Sequence, residues 1–135
     1  MMEAGFREIE HTADWELEVW APDLLALLEQ AAIGMYTLEG VRLRAESRVD
    51  RSFSLPMEDA ESLLVRFLGE LLYLGEQENL AFDRFDLHLD AGWLHARLAG
   101  AAIETVRKEI KAVTYHNLAI RTTGKGLDVH IVFDV

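Results

Sequence analysis

The chain has 135 residues, the length of one domain; half of them are hydrophobic, and the formal charge is −11. This composition excludes a disordered chain and opposes binding of a phosphate backbone by the domain as a whole. With no cysteine, disulfides, thiolate chemistry and sulfur-ligated metals are excluded as well.

The opening run "MMEAGFREIEHTAD" carries acids where the apolar core of a secretory signal belongs. No stretch is long and apolar enough to span a bilayer. Together with the lack of thiols, this gives the expectation of a cytoplasmic protein without membrane association. Phe6 to Ile9 reads as a short strand. After the polar run "EHTADWE", Trp15, Leu17 and Val19 alternate with Glu16 and Glu18, the pattern of a half-buried strand. Pro22 and Asp23 open a helix expected over roughly residues 22–38, in which proline is tolerated in the first turn. Leu24, Leu27, Leu28, Ala31, Ala32 and Met35 give it an apolar face, and Gly40 is its stop.

"RVDRSFSLP" predicts a strand carrying Val49, Phe53 and Leu55 and ended by Pro56. A second helix is expected over about 57–75. Glu58, Asp59 and Glu61 sit at its positive end, Leu63, Leu64, Phe67, Leu68, Leu71 and Leu72 form its apolar face, and Gly75 closes it. The second half reads as strands. Phe85, Leu87 and Leu89 alternate, "DAGW" turns the chain, and Leu94, Ala96 and Leu98 alternate after it. "EIKAVTYHNLAI" is rich in β-branched and aromatic residues, "TTGKG" is a turn, and "LDVHIVFDV" sets Leu127, Val129, Ile131 and Phe133 on one face. The expected fold is α+β: a single-domain sandwich over residues 1–135, with two helices packed on a largely antiparallel sheet.

Three groups of residues could carry chemistry. Asp14 and Asp134 each flank an apolar strand residue and point to the non-core side. If their strands are neighbours, the two carboxylates converge, with an oxygen of Val135 nearby, and oxygen donors suit a hard cation. The alternative is that both are ordinary turn or surface residues. His11 with Asp14 could form a general-base pair, or simply a local turn with Thr12. Lys111, Val113 and Tyr115 share a strand face, with His116 beside them, in a segment from Arg97 to Lys125 that is locally basic. His88, His95 and His130 stand singly, without zinc-ligand spacing to another histidine or acid. No phosphate-binding loop, dinucleotide-binding turn or serine nucleophile elbow is present.

Four stretches in order, "EHTAD" at 10–14, "EDAESLLVRFLGELLYL" at 58–74, "EIKAVTYHNL" at 109–118 and "VFDV" at 132–135, resemble the archease family. The resemblance implies a protein cofactor of the GTP-dependent tRNA-splicing RNA ligase rather than an enzyme. Such a cofactor promotes guanylylation of the ligase's active-site histidine and repeated turnover in tRNA splicing or RNA repair. It implies a divalent cation, Ca2+ first with Mg2+ or Mn2+ as alternatives, held by Asp14, Asp134 and an oxygen of Val135. It also implies functional roles for Lys111 and His11 and leaves the oligomeric state open; the net charge of −11 gives the expectation of no direct binding of nucleic acid. Two departures stand out. Glu16 occupies a position where the family usually has a small residue, and Asn117 replaces the glycine of the "TYHGL" pattern. Asparagine tolerates left-handed backbone, so the turn can survive.

Two other readings compete. One is a small metal-dependent hydrolase or nucleic-acid-processing enzyme using His11, Asp14, Lys111 and Asp134. The other is a general chaperone-like module, which should expose an apolar run that the sequence does not show.

Overall fold

The computed structural model describes residues 3–10 and 15–135. Alternation builds its first sheet. Strands β1 (Gly5–Ile9) and β2 (Trp15–Ala21) pair antiparallel, and β2 pairs in turn with β9 (Gly126–Asp134). Leu17, Val19 and Ala21 of β2 and Val129, Ile131 and Phe133 of β9 are buried, so the inward face matches the period-two pattern. β9 also carries two short strands at opposite ends. β7 (Ala112–Val113) pairs with Phe133 and Asp134, and β8 (Arg121–Thr123) pairs with Gly126 to Asp128.

The second sheet is centred on the long strand β6 (Trp93–Thr105), flanked by β3 (Arg42–Leu43), β4 (Val49–Pro56) and β5 (Leu80–Asp90). Ala91 and Gly92, both at positive φ, form the tight β5–β6 turn expected at "DAGW". The architecture is α+β, but the strands divide into two sheets. Helices α1 (Leu24–Glu39) and α2 (Ala60–Glu78) each touch strands of both. Leu27, Leu28, Met35, Leu63, Leu64, Phe67, Leu68 and Leu71 fill the space between, each contributing roughly 1.5–3 kcal/mol by burial. Among the described residues, no helix is long and apolar enough to cross a membrane.

The helix boundaries differ from expectation for local reasons. Pro22 lies outside α1, because Asp23 is the N-cap and accepts a hydrogen bond from the Ala26 N–H at 2.9 Å. Gly40 ends that helix in left-handed backbone, as expected. Asp59 likewise caps α2 by accepting from the Ser62 N–H, so residues 57–59 precede the helix. Gly75 does not stop it. One interior glycine costs only about 1 kcal/mol, and the good helix formers Glu76, Gln77 and Glu78 follow. The end comes at Asn79, in left-handed conformation.

Candidate functional site: the tip of the first sheet

Three pieces of chain meet at one end of the first sheet. Trp15, at the start of β2, is paired with Phe133, and Ala112 of β7 is paired with Asp134. The Lys111 N–H donates to the Asp134 carbonyl oxygen at 2.7 Å, and the Thr114 N–H donates to the Val132 carbonyl at 3.0 Å. Asp134 and Lys111 are exposed, whereas Val135 is half-buried and packs on the core. The expected adjacency of the β2 and β9 strands is therefore present, and Lys111 joins them. His11 and Asp14 lie outside the described residues. Asp14 is the chain neighbour of Trp15.

Helix α1 fixes the segment that delivers the lysine. The Glu39 carbonyl accepts from the Arg107 and Lys108 N–H groups, and its buried carboxylate accepts from the Ile110 N–H at 3.0 Å. Burial raises the Glu39 carboxyl above the ordinary range, the Ile110 hydrogen bond opposes this, and the Glu109 charge adds to it. Lys108, held by the same segment, sits with Nζ 5.9 Å from the centre of the Trp15 ring. The tip thus carries two lysines. Lys108 counts in the sequence only as one charge of the basic segment and Glu39 not at all, because their partners are far apart in the chain.

The segment "EIKAVTYHNLAI" is not one continuous strand. It pairs with β9 only at Ala112–Val113 and bulges out before β8. Thr114 Oγ1 donates to the Val132 carbonyl and accepts from the His116 N–H, and the Leu118 N–H closes a turn onto Tyr115. Asn117 stands at φ 51°, the left-handed backbone that its replacement of glycine required. Glu61 of α2 pins the far end by accepting from the Ile120 N–H. Tyr115 is exposed, so it shares no buried face with Val113.

Further along the outward face of β2 and β9 lies a second polar group. His130 Nδ1 is 2.7 Å from Glu16 Oε2, and its Nε2 is 3.6 Å from Glu18 Oε2. Glu18 is also bonded by Arg7. Burial works against the Glu18 carboxylate, but hydrogen bonds from Arg7 and Asp128 and the charges of Arg7 and His130 outweigh it, so it titrates below the usual range. Asp128 is pushed upward by burial and by the Glu18 carboxylate beside it. His130 is therefore not a solitary histidine. Its acidic partners lie across the strand pair or at period two, and spacing along one strand shows neither arrangement as a cluster. His95 and His88 also have partners: His95 Nδ1 bonds Ser54, and His88 lies 3.1 Å from Asp86.

Residues 6–135 match the Archease protein family (MTH1598/TM1083). The chain is 32% identical to the protein archease of Archaeoglobus fulgidus, over 96% of this chain and 98% of that one. An archease-like protein of Dictyostelium discoideum is 28% identical over 97% of this chain and 93% of its own. Among solved structures, the solution structure of protein 1598 of Methanobacterium thermoautotrophicum superposes with a TM-score of 0.73 at 26% identity, covering 97% of this chain and 99% of that one. A crystal structure of an archease from Thermotoga maritima, described as a possible chaperone, gives a TM-score of 0.72 at 28% identity, covering 96% of each chain. The family match spans nearly the whole chain and both sheets, and the chain belongs to the archease family.

Proposed function

We propose that this archease is a non-enzymatic activator of a GTP-dependent RNA ligase of the tRNA-splicing and RNA-repair type, acting in the cytoplasm through the tip of its first sheet. The observation that carries the reading is the junction of β2, β9 and β7, where the Lys111 N–H is bonded to the Asp134 carbonyl. This junction supports a joint site for Asp14, Asp134, Val135 and Lys111, the residues that the family resemblance singles out, with His11 beside Asp14 in the chain.

The donors fit a hard cation. The Asp134 carbonyl is already engaged by Lys111, which leaves the Asp134 carboxylate, an oxygen of Val135 and the Asp14 carboxylate, all oxygen donors. Ca2+ suits such a set, with Mg2+ or Mn2+ as alternatives. A bound cation would supply positive charge for a phosphate or a shared carboxylate. The chain's own residues do the rest. Lys111 offers an ammonium to a nucleotide phosphate, and the acidic tip enters the ligase pocket that holds metal and GTP. Guanylylation depends on placement and neutralised charge, so an oriented lysine at that point accelerates it. The net charge of −11 favours approach to a ligase that is basic where it holds RNA.

The test is multiple-turnover RNA ligation by the cognate ligase with and without this protein. Stimulation by catalytic amounts supports activation. Hydrolysis of RNA or nucleotide by the isolated protein, lost in Asp14→Ala, supports the small metal-dependent hydrolase instead.

A further inference from the structure

We propose that Glu18, Asp128 and His130 form a binding site for a transition-type divalent cation, Zn2+ foremost, on the outward face of β2 and β9 and separate from the tip. Glu18 and His130 are directly opposed in the antiparallel ladder, and Asp128 lies two residues before His130, on the same face. One ligand atom from each of the three residues falls within 4.8 Å of the other two.

An imidazole already oriented for a metal separates this group from a patch of surface acids. His130 Nδ1 is held by Glu16 Oε2 at 2.7 Å; a carboxylate can only accept there, so Nδ1 is the donor and Nε2 is the nitrogen on the Glu18 side. Metal-bound histidines are commonly held by a carboxylate on their other nitrogen in this way. The 3.6 Å between His130 Nε2 and Glu18 Oε2 is too long for a hydrogen bond. It is close to the ~3.3 Å that separates two ligands each about 2.0–2.1 Å from a tetrahedral metal. Arg7 engages Glu18 through Oε1, so Oε2 faces the histidine.

The carboxylate side chains are mostly covered, Glu16 at 16% and Glu18 at 15% exposure, while His130 at 44% leaves a side open for water or a further ligand. Asp128 and His130, though not Glu18, also line a concavity of about 440 Å³ together with Glu16, Arg121 and, from the Thr114–Leu118 bulge, His116. A nitrogen donor with two carboxylates selects Zn2+ or a similar ion, whereas the oxygen donors of the tip select Ca2+.

The test is Zn2+ binding at pH 7.5 by equilibrium dialysis of the full chain, with Ca2+ present. Wild type should take up one Zn2+ per chain. Affinity should fall at least tenfold in His130→Ala and in Glu18→Gln. Glu16→Gln should lose about tenfold through the disturbed imidazole. Asp134→Ala should bind Zn2+ as wild type does, so failure of the ligase reading leaves this result untouched. Should a variant misfold by circular dichroism, wild type alone suffices: Zn2+ should shift the His130 imidazole signals in nuclear magnetic resonance. The proposal is overturned if the folded wild type takes up no stoichiometric Zn2+. It is equally overturned if binding survives His130→Ala, or if the signals that move belong to His88, His95 or His116 and not to His130.

Discussion

Lys111 is fastened to Asp134 through the backbone, N–H to carbonyl at 2.7 Å, and not through its side chain. The ammonium takes no part in that bond, so the strand pairing that positions the residue does not depend on it. Lys111→Ala should keep the bond and the fold, with stability within about 0.5 kcal/mol of wild type. Ligase stimulation should fall about tenfold or more, as expected for loss of a charge-assisted contact of roughly 1.5–3 kcal/mol. Thermal melts beside turnover assays separate the two effects.

Calcium should raise the melting temperature of wild type, because a ligand that binds only the folded chain stabilises it by mass action. A chelator should reverse the rise. Asp134→Ala should melt near calcium-free wild type and show no calcium-dependent shift. A full calcium shift in that variant would remove Asp134 from the donor set.

Asn117 adopts left-handed backbone in the bulge beside the tip. Asn117→Gly should change stability by no more than about 0.5 kcal/mol, since glycine has no Cβ to strain. Asn117→Val should cost about 1–2 kcal/mol from the same backbone angle. Chemical denaturation measures both, and equal losses would mean that the side chain, not the backbone, holds the turn.

Glu39 anchors the lysine-bearing segment with a buried carboxyl whose pKa is raised. Its folded pKa exceeds its unfolded one, so its stabilising contribution is full below the unfolded value, near 4.3. That contribution is lost as pH rises through the folded value. Glu39→Gln keeps an acceptor for the Ile110 N–H and removes this titration. The variant should therefore gain on wild type as pH goes from 4 to 8. Glu39→Ala leaves the N–H unsatisfied and should lose about 1–3 kcal/mol. Urea unfolding at several pH values gives both curves.

Much of the fold was legible because burial imposes a period. Leu17, Val19, Val129, Ile131 and Phe133 alternate in sequence and lie at the core face of paired strands. Other features follow from rules that the pattern does not carry. The first part of β5, "LAF", is buried without alternation, ahead of the register shift between Phe82 and Arg84. The "AGAAIET" end of β6 is rich in small residues with low strand preference and gives no signal of a long strand. Aromatic and β-branched residues in 110–120 suggest a strand, but Asn117 and the Thr114 hydroxyl turn that segment outward.

The site was legible in part for the same reason. Asp134 and Lys111 are close because β7 and β9 pair, and the motifs marked both residues. The cross-strand partners were not legible. Glu39 reaches Ile110 across 71 positions, and Glu16 reaches His130 across 114. One useful signal did lie in the sequence. Acids at Glu16 and Glu18 and polar residues at Asp128 and His130 alternate on two strands already expected to be amphipathic. Once those strands pair, the four residues share one face.

The most direct test of the central claim is guanylylation of the cognate ligase by GTP under multiple-turnover conditions, with and without this protein. Asp14→Ala, Lys111→Ala and Asp134→Ala are run beside wild type, with each fold checked by circular dichroism. Wild type should stimulate strongly, and all three folded variants should lose the effect. Absence of stimulation by wild type, or full stimulation by the three variants, would contradict that claim.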